Sequence, residues 1–359
     1  MKIGLVRRGY SRTGGAEAYL RRFAEAAVAA GHETMLFAEQ WPMAEWPFEH
    51  VQIHSRSPGS FAASLHARQA GDSCDFLFSL ERVWSCDCYR AGDGVHAAWL
   101  ERRREFEPFW RPLLRRFSRK HGETLALEQQ LFGARGARSV IANSRLVQAE
   151  IVERFGYPVE QIHVIYNGVP PFHPPVDARA ATRRELGLKE EDYVLLFAGS
   201  GWERKGLRFA IEAMGSLRGR NTKLLVAGRG SPRTQPSSHR VRFLGPVGEM
   251  ARYLAAADAF VLPTLYEPFS NACLEALAAG LPVITTRHNG FTEIIAPGED
   301  GEIINDPREI GSLVDAIEAW RDPARREAMR PHLAALGARY NLAENVRQTL
   351  AVITSTRRG

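Results

Sequence analysis

Two carboxylates, Glu267 and Glu275, bracket the run EPFSNACLE with seven residues between them. Before this run, DAFVLP (Asp258 to Pro263) reads as a buried strand, and after it NACLEALAAG reads as a helix stopped by Gly280. Glu267 therefore belongs to the loop at a strand's carboxyl end. Ser270 is a good N-cap residue, which leaves the backbone N–H groups of Asn271 and Ala272 aimed at whatever lies in the crevice. Unpaired amides at a helix N-terminus suit an anion. Glu275, about one turn into the helix, is placed to reach hydroxyls of a group attached to that anion, while Glu267 addresses its other side. A phosphate flanked by polyols is a nucleotide sugar. Taken alone, the same run also reads as a surface loop and an amphipathic helix with solvated acids, so the remaining motifs decide.

The run GSGWERKG (199 to 206) follows a strand and carries Arg204 and Lys205 where its loop enters the next helix. Two cations there suit a diphosphate, arginine through its planar fork and lysine as a point charge. The phosphate-loop pattern of nucleoside triphosphatases fails, because Gly206 is followed by Leu207. Gly14 and Gly15 occupy the first strand-to-helix turn, where the missing Cβ lets backbone approach a phosphate or sugar. That turn reads GGAEAY, so the dinucleotide fingerprint is absent and a nicotinamide enzyme is not expected. GDGVH (92 to 96) sets Asp93 and His96 on a loop, where a carboxylate is able to take a proton from an acceptor hydroxyl. The same residues equally describe a plain glycine turn.

These motifs need a scaffold of strands that end at one edge. Each half of the chain alternates strand, glycine-containing turn and helix: KIGLVRR, then TGGAEAYLRRFAEAAVAA, then GHETMLFAE, and later DFLFSL, SVIAN and IHVIY. Asn167-Gly168 and the prolines up to Pro175 interrupt the pattern as a linker. It restarts with DYVLLFAG, KLLVAG, VRFLG, DAFVLP and LPVITT. The expected class is α/β: two Rossmann-like domains, residues 1–168 and 169–339, with a last helix in 340–359 able to return to the first, and ligand in the cleft between them. A chain of 359 residues exceeds one hydrophobic core. With no apolar run of about 18 residues and a strand starting next to Met1, a cytoplasmic protein is expected. Four cysteines, at 74, 86, 88 and 273, form no disulfide framework and lack the paired spacing of a zinc site even with His96 nearby. The formal charge of +6 is too diffuse for a nucleic-acid partner.

In order and spacing, GGAE, VIANS, the YNGV hinge, GSGWERKG, the paired glutamates and LPVITT with GFTEII resemble the retaining glycosyltransferases of family 4, which have the GT-B fold of two Rossmann-like domains. Within them, FAGSGWERKGLRFAIEAM and SLERVWSCDCYRAGDGVHAAWLERRR look most like the lipopolysaccharide core enzymes that glucosylate an inner-core heptose. The resemblance implies a UDP-sugar donor and no metal. It assigns the diphosphate to Arg204 and Lys205, the ribose to Glu275 and the transferred sugar to Glu267. Backbone N–H groups at Phe269, Ser270 and Asn271 are assigned to sugar and phosphate, and the base to the surroundings of Arg229 and Pro246-Val247. Asp93, with His96 beside it, falls on the acceptor side. Retention is then expected through front-face attack rather than a carboxylate nucleophile. A nucleotide-sugar epimerase of the same fold and a non-enzymatic membrane scaffold are the competing readings.

One stretch concentrates charge. Over 99–121, Phe106, Phe109, Trp110, Leu113, Leu114 and Phe117 fall at helical spacing, flanked by eight basic residues against three acids. Trp and Phe beside Arg compose an interfacial helix, so an anionic membrane surface is the expected partner and a peripheral position on the inner face of the cell membrane the expected location. Pro108 and Pro112 predict a break in it.

Overall fold

The computed structural model describes the chain apart from residues 10–14, 42–45, 47, 109–117, 218, 220, 231–238 and 357–359, and leaves aside the side chains of 15–18. Its residues form two units, Met1–Tyr166 with Leu342–Gly359, and Asn167–Asn341.

In the first unit the strands are β1 Lys2–Val6, β2 Glu33–Ala38, β3 Glu49–Gln52, β4 Phe76–Ser79, β5 Cys86–Ala91, β6 Ala137–Ala142 and β7 Ile162–Val164. They make one sheet in the order β3-β2-β1-β4-β5-β6-β7, every pair parallel. Helices α1 Gly15–Ala29, α2 Pro58–Ala67, α3 His96–Arg104, α4 Arg119–Glu128 and α5 Arg145–Phe155 connect them. Parallel strands covered on both faces must be apolar throughout, and Ile3, Leu5, Phe76, Phe78 and Ile141 are accordingly buried in one core with Leu20 and Phe23 of α1. The helix Leu342–Ser355, α12 in chain order, lends Val346 and Ile353 to that same core. Its Thr349 hydroxyl meets the Tyr19 hydroxyl at 3.1 Å. Ser144 caps α5 by accepting from Val147 N at 3.2 Å.

The second unit holds β8 Tyr193–Ala198, β9 Thr222–Ala227, β10 Val241–Gly245, β11 Ala259–Leu262, β12 Val283–Thr286 and β13 Gly301–Ile304, again all parallel, in the order β10-β9-β8-β11-β12-β13. Its helices are α6 Ala178–Glu185, α7 Leu207–Ser216, α8 Met250–Ala256, α9 Asn271–Ala278, α10 Ile310–Glu318 and α11 Pro323–Ala338. Leu196, Phe197, Leu224, Val226, Phe260, Val261 and Ile284 are fully buried, each contributing about 1.5–3 kcal/mol. The strand order reverses between β8 and β11. Ligands of open α/β sheets bind where such a reversal opens a crevice at the strands' carboxyl ends, and the loops after β8 and β11 are GSGWERKG and TLYEPFS.

Helix α7 starts at Leu207, two residues later than Lys205, because Gly206 turns the chain with φ +74°. A Cβ at Gly206 would stand 1.8 Å from the Pro263 carbonyl oxygen, so the loops after β8 and β11 meet only because this residue has no side chain. Among the described residues no helix is long and apolar enough to cross a membrane.

Candidate active site

Where the two loops of the second unit touch, Arg204 and Lys205 both turn onto Glu267. Lys205 Nζ donates to Glu267 Oε2 at 2.9 Å, and Arg204 Nη1 lies 3.2 Å from the same oxygen and 3.1 Å from the Tyr266 carbonyl. The backbone locks this arrangement: Leu265 N donates to the Arg204 carbonyl at 2.8 Å, and the Thr264 hydroxyl donates to it at 2.9 Å. Burial pushes the Glu267 carboxyl up, yet the Lys205 ammonium and the Arg204 guanidinium, which also hydrogen-bond it, hold it below the usual carboxylate range. A buried carboxylate tied to two cations is a weak nucleophile. The trio still carries one positive charge in excess, which favours an anionic ligand.

Helix α9 begins beside Glu267. Ser270 caps it, its hydroxyl accepting from Cys273 N at 3.3 Å. Among the described residues nothing accepts from the amides of Asn271 and Ala272, as the cap geometry predicts for a first turn. The Ser270 amide differs from expectation: assigned by resemblance to a ligand, it is taken instead by Asn289 Oδ1 at 3.2 Å. Phe269 is buried, its ring edge-on to Phe291 with centroids 6.0 Å apart. The Asn271 side chain accepts from Asn167 Nδ2 at 2.8 Å. Glu275 is half-buried, and its carboxylate makes no hydrogen bond or ion pair among the described residues. Burial lifts its carboxyl above the usual range against a smaller pull from Lys205.

Further along the same edge, the turns after β8, β9 and β10 are joined. Gly228 N donates to the Gly245 carbonyl at 2.8 Å, Arg229 N to the Ser200 hydroxyl at 3.4 Å, and the Trp202 indole to the Gly199 carbonyl at 3.0 Å. Arg229 is exposed and Val247 half-buried on these turns. A cavity of about 1140 Å³ lies at the opposite end of the sheet, lined by Arg179, Arg183 and Asp258 among others. Those arginines are spent bracing Asp258 and the carbonyls of residues 255–257, so volume there does not mark chemistry.

In the first unit, Gly15 opens α1, whereas Gly14 lies outside the described residues. Asp93 is exposed on a turn after β5 whose backbone, with the start of α3, is gripped by the buried Asn143 and Glu128 and the half-buried Arg82. Asn143 Nδ2 donates to the Gly92 carbonyl at 3.0 Å, Arg82 Nη2 to the Gly94 carbonyl at 2.8 Å, and Glu128 accepts from His96 N at 2.5 Å and Ala97 N at 3.0 Å. Glu128 is wholly buried and also pairs with Arg82, Nη2 to Oε1, at 2.9 Å. This carboxylate fills the N-terminus of α3, the place where an anion would otherwise sit. Neither Arg82 nor Glu128 stands out in sequence, being ordinary charged residues 46 positions apart. His96 does not stand open: its Nε2 lies 2.9 Å from Nδ1 of His121. Burial first, then Arg82, His121 and Lys120, drives its imidazole down to about 4, so the ring is neutral at neutral pH.

Of the charged stretch 99–121, residues 109–117, with most of the apolar stripe, fall outside the described residues. Helix α3 ends at Arg104, before Pro108. The three acids of the stretch are paired: Glu101 with Arg154 at 2.6 Å, Glu105 with Arg102 at 2.5 Å and Glu107 with Arg103 at 2.7 Å.

Comparison with known proteins places this geometry. A profile described as Glycosyltransferase Family 4 matches residues 13–171, and one described as Glycosyl transferases group 1 matches residues 192–321. A probable transglycosylase of Burkholderia thailandensis is 30% identical over 367 residues, covering 98% of this chain and 96% of its own length. The lipopolysaccharide glucosyltransferase WaaG of Escherichia coli (strain K12) is 25% identical over 363 residues, covering 91% and 94%. A crystal structure of WaaG, a glycosyltransferase involved in lipopolysaccharide biosynthesis, superposes with a TM-score of 0.81 at 23% identity over 98% of this chain and 99% of the other. An uncharacterised glycosyltransferase of Methanocaldococcus jannaschii is 33% identical over 171 residues, and there the match spans 44% of either chain.

Proposed function

Since the chain belongs to glycosyltransferase family 4, with the GT-B fold, we propose that it is a retaining hexosyltransferase moving glucose from a UDP-sugar to a lipopolysaccharide core or other lipid-linked saccharide. The observation that carries the reading is the convergence of Arg204 and Lys205 on Glu267 beside the open amides of Asn271 and Ala272. In the proposed reaction these cations and the α9 dipole stabilise the departing diphosphate in the place of a divalent ion. Glu267, too firmly held to attack carbon, binds hydroxyls of the transferred sugar. The acceptor oxygen forms its bond to the anomeric carbon on the face from which the phosphate oxygen leaves, and that oxygen takes the acceptor's proton. Asp93, on its braced turn, orients the acceptor hydroxyl. Glu275 holds the ribose and the turns bearing Arg229 and Val247 hold the base.

A panel of nucleotide sugars tested by thermal shift, followed by transfer to a heptose-terminated core glycolipid in the presence of a chelator, tests the proposal. A true donor at about 100 times its Kd stabilises by roughly 2.7 kcal/mol, and transfer is expected to persist without free metal. No shift with any nucleotide would overturn the reading, activity restored only by magnesium or manganese would overturn its metal-free part, and a released epimerised nucleotide would turn it toward an epimerase. Glu275→Gln is expected to weaken nucleotide binding about tenfold while turnover at saturation is largely kept, because a ribose contact is equal in ground and transition states. Unchanged affinity with lost turnover, measured by calorimetry and initial rates, would exchange the roles of the two glutamates.

We place the enzyme peripherally on an anionic inner membrane surface through residues 99–121, supported by the basic and aromatic composition of that stretch. Co-sedimentation with anionic vesicles should weaken with salt and fall sharply on changing Arg115, Arg116 and Arg119 to Glu. Equal binding to neutral vesicles would remove this part.

A further inference from the structure

Asn289 lies in the turn between β12 and the short helical turn Gly290–Ile294. Its side chain is completely buried, and all of its hydrogen-bonding capacity is directed. Oδ1 accepts from Ser270 N and from Phe291 N, both at 3.2 Å. Nδ2 donates to the Thr285 hydroxyl at 3.1 Å and approaches Cys273 Sγ at 3.5 Å. The Thr285 hydroxyl in turn donates to the Leu262 carbonyl at 2.8 Å, at the end of β11. The amide has one orientation only, since reversing it would set its NH2 against two backbone N–H groups. The backbone of the same turn grips Glu267 from both sides: Glu267 N donates to the His288 carbonyl at 2.9 Å, and Gly290 N to the Glu267 carbonyl at 3.0 Å.

The turn 288–290 thus holds Glu267 through its backbone, while the Asn289 side chain ties the first turn of α9 to the ends of β11 and β12. By taking the Ser270 N–H, Asn289 fixes the peptide plane that precedes the amides of Asn271 and Ala272, which stay open. We infer that Asn289 is a positioning residue for the donor's terminal phosphate: it aims the α9 amides, without touching the donor. The inference rests on the donor reading above. It adds a residue that lies outside both glutamates and both cations, and gives that residue one part of the ligand to act on. Preorganised donors are effective only while their supporting shell is fixed, and a buried amide with four partners is such a support.

The experiment is a pair of calorimetric titrations well below the unfolding temperature. One uses whichever of UDP, GDP and ADP binds the unaltered protein best, and the other uses the matching monophosphate. Asn289→Ala is expected to weaken the diphosphate at least tenfold and the monophosphate less than twofold. Thr285→Val, which removes the acceptor of Asn289 Nδ2 with little change in shape, is expected to shift the same ratio about threefold, and it carries the test if the alanine variant does not fold. A general loosening of the unit would weaken both ligands in proportion. An unchanged diphosphate-to-monophosphate ratio in the folded variants would overturn the assignment and leave the donor reading standing. An unaltered protein that bound none of the diphosphates would overturn both.

Discussion

Arg204→Ala should lower the transfer rate about a hundredfold with the fold intact. Arg204 Nη1 reaches Glu267 and the Tyr266 carbonyl, but the guanidinium is about one-third exposed, and Lys205 remains to neutralise Glu267 when it is removed. In the proposed reaction what disappears is a cation aimed at charge that grows on the leaving diphosphate, a contribution of about 3 kcal/mol to the transition state. Lys205→Ala should behave differently. Its ammonium is buried against Glu267, so removing it leaves a buried carboxylate with one weaker partner and costs stability as well as rate. Initial rates at saturating donor, with calorimetric unfolding of both variants, separate the two effects. Near-normal turnover of Arg204→Ala would remove it from the diphosphate.

The largest effect on stability is expected from Glu128→Ala. The substitution strands Arg82 in the interior and leaves the His96 and Ala97 amides without an acceptor. Breaking one partner out of a buried pair costs about 3–5 kcal/mol. For a unit of this size, roughly 2–4 °C per kcal/mol makes the drop in its unfolding temperature on the order of 10 °C. Glu128→Gln should cost less, because an amide oxygen still accepts from the helix. A pair replaced together, Arg82→Met with Glu128→Leu, should recover part of the loss. Unchanged unfolding of Glu128→Ala by scanning calorimetry would mean that α3 is held by something other than this carboxylate.

The convergence of Arg204 and Lys205 on Glu267 at the start of α9 was legible because its signals are local. A cap residue, a glycine-punctuated turn and two acids at fixed spacing lie within single loops, and the strands that carry them are short apolar runs. The elements that sequence reasoning missed draw their sense from distant partners. Strand β5 reads CDCYRA, too polar for a buried strand until Asp87 is seen accepting from Leu77 N at 2.8 Å and the Arg90 guanidinium lying 4.0 Å over the Tyr19 ring. The edge strands β3, EHVQ, and β13, GEII, have four residues each and too few apolar ones to announce themselves. Glu128 and Asn289 carry no local signature either: one closes a helix 32 residues back in the chain, the other takes an amide 19 residues away. The Ser270 amide is given to a ligand by resemblance alone, and a resemblance does not say which neighbour in this chain reaches the donor first: here it is Asn289 Oδ1.

The place of α12 bears on how the molecule is made. Val346 and Ile353 fill the core of the first unit, although all of the second unit precedes them in the chain. During translation at about 5–20 residues per second, roughly 10–40 s separate the synthesis of Tyr166 from that of α12. Through that interval the earlier-made unit waits with the seat of α12 uncovered, while the later-made one is complete as soon as Asn341 has left the ribosome. The nascent chain therefore finishes its two units in the reverse of the order in which it begins them, and a chain cut short just after Asn341 has every residue of its second unit but a first unit with an open apolar face.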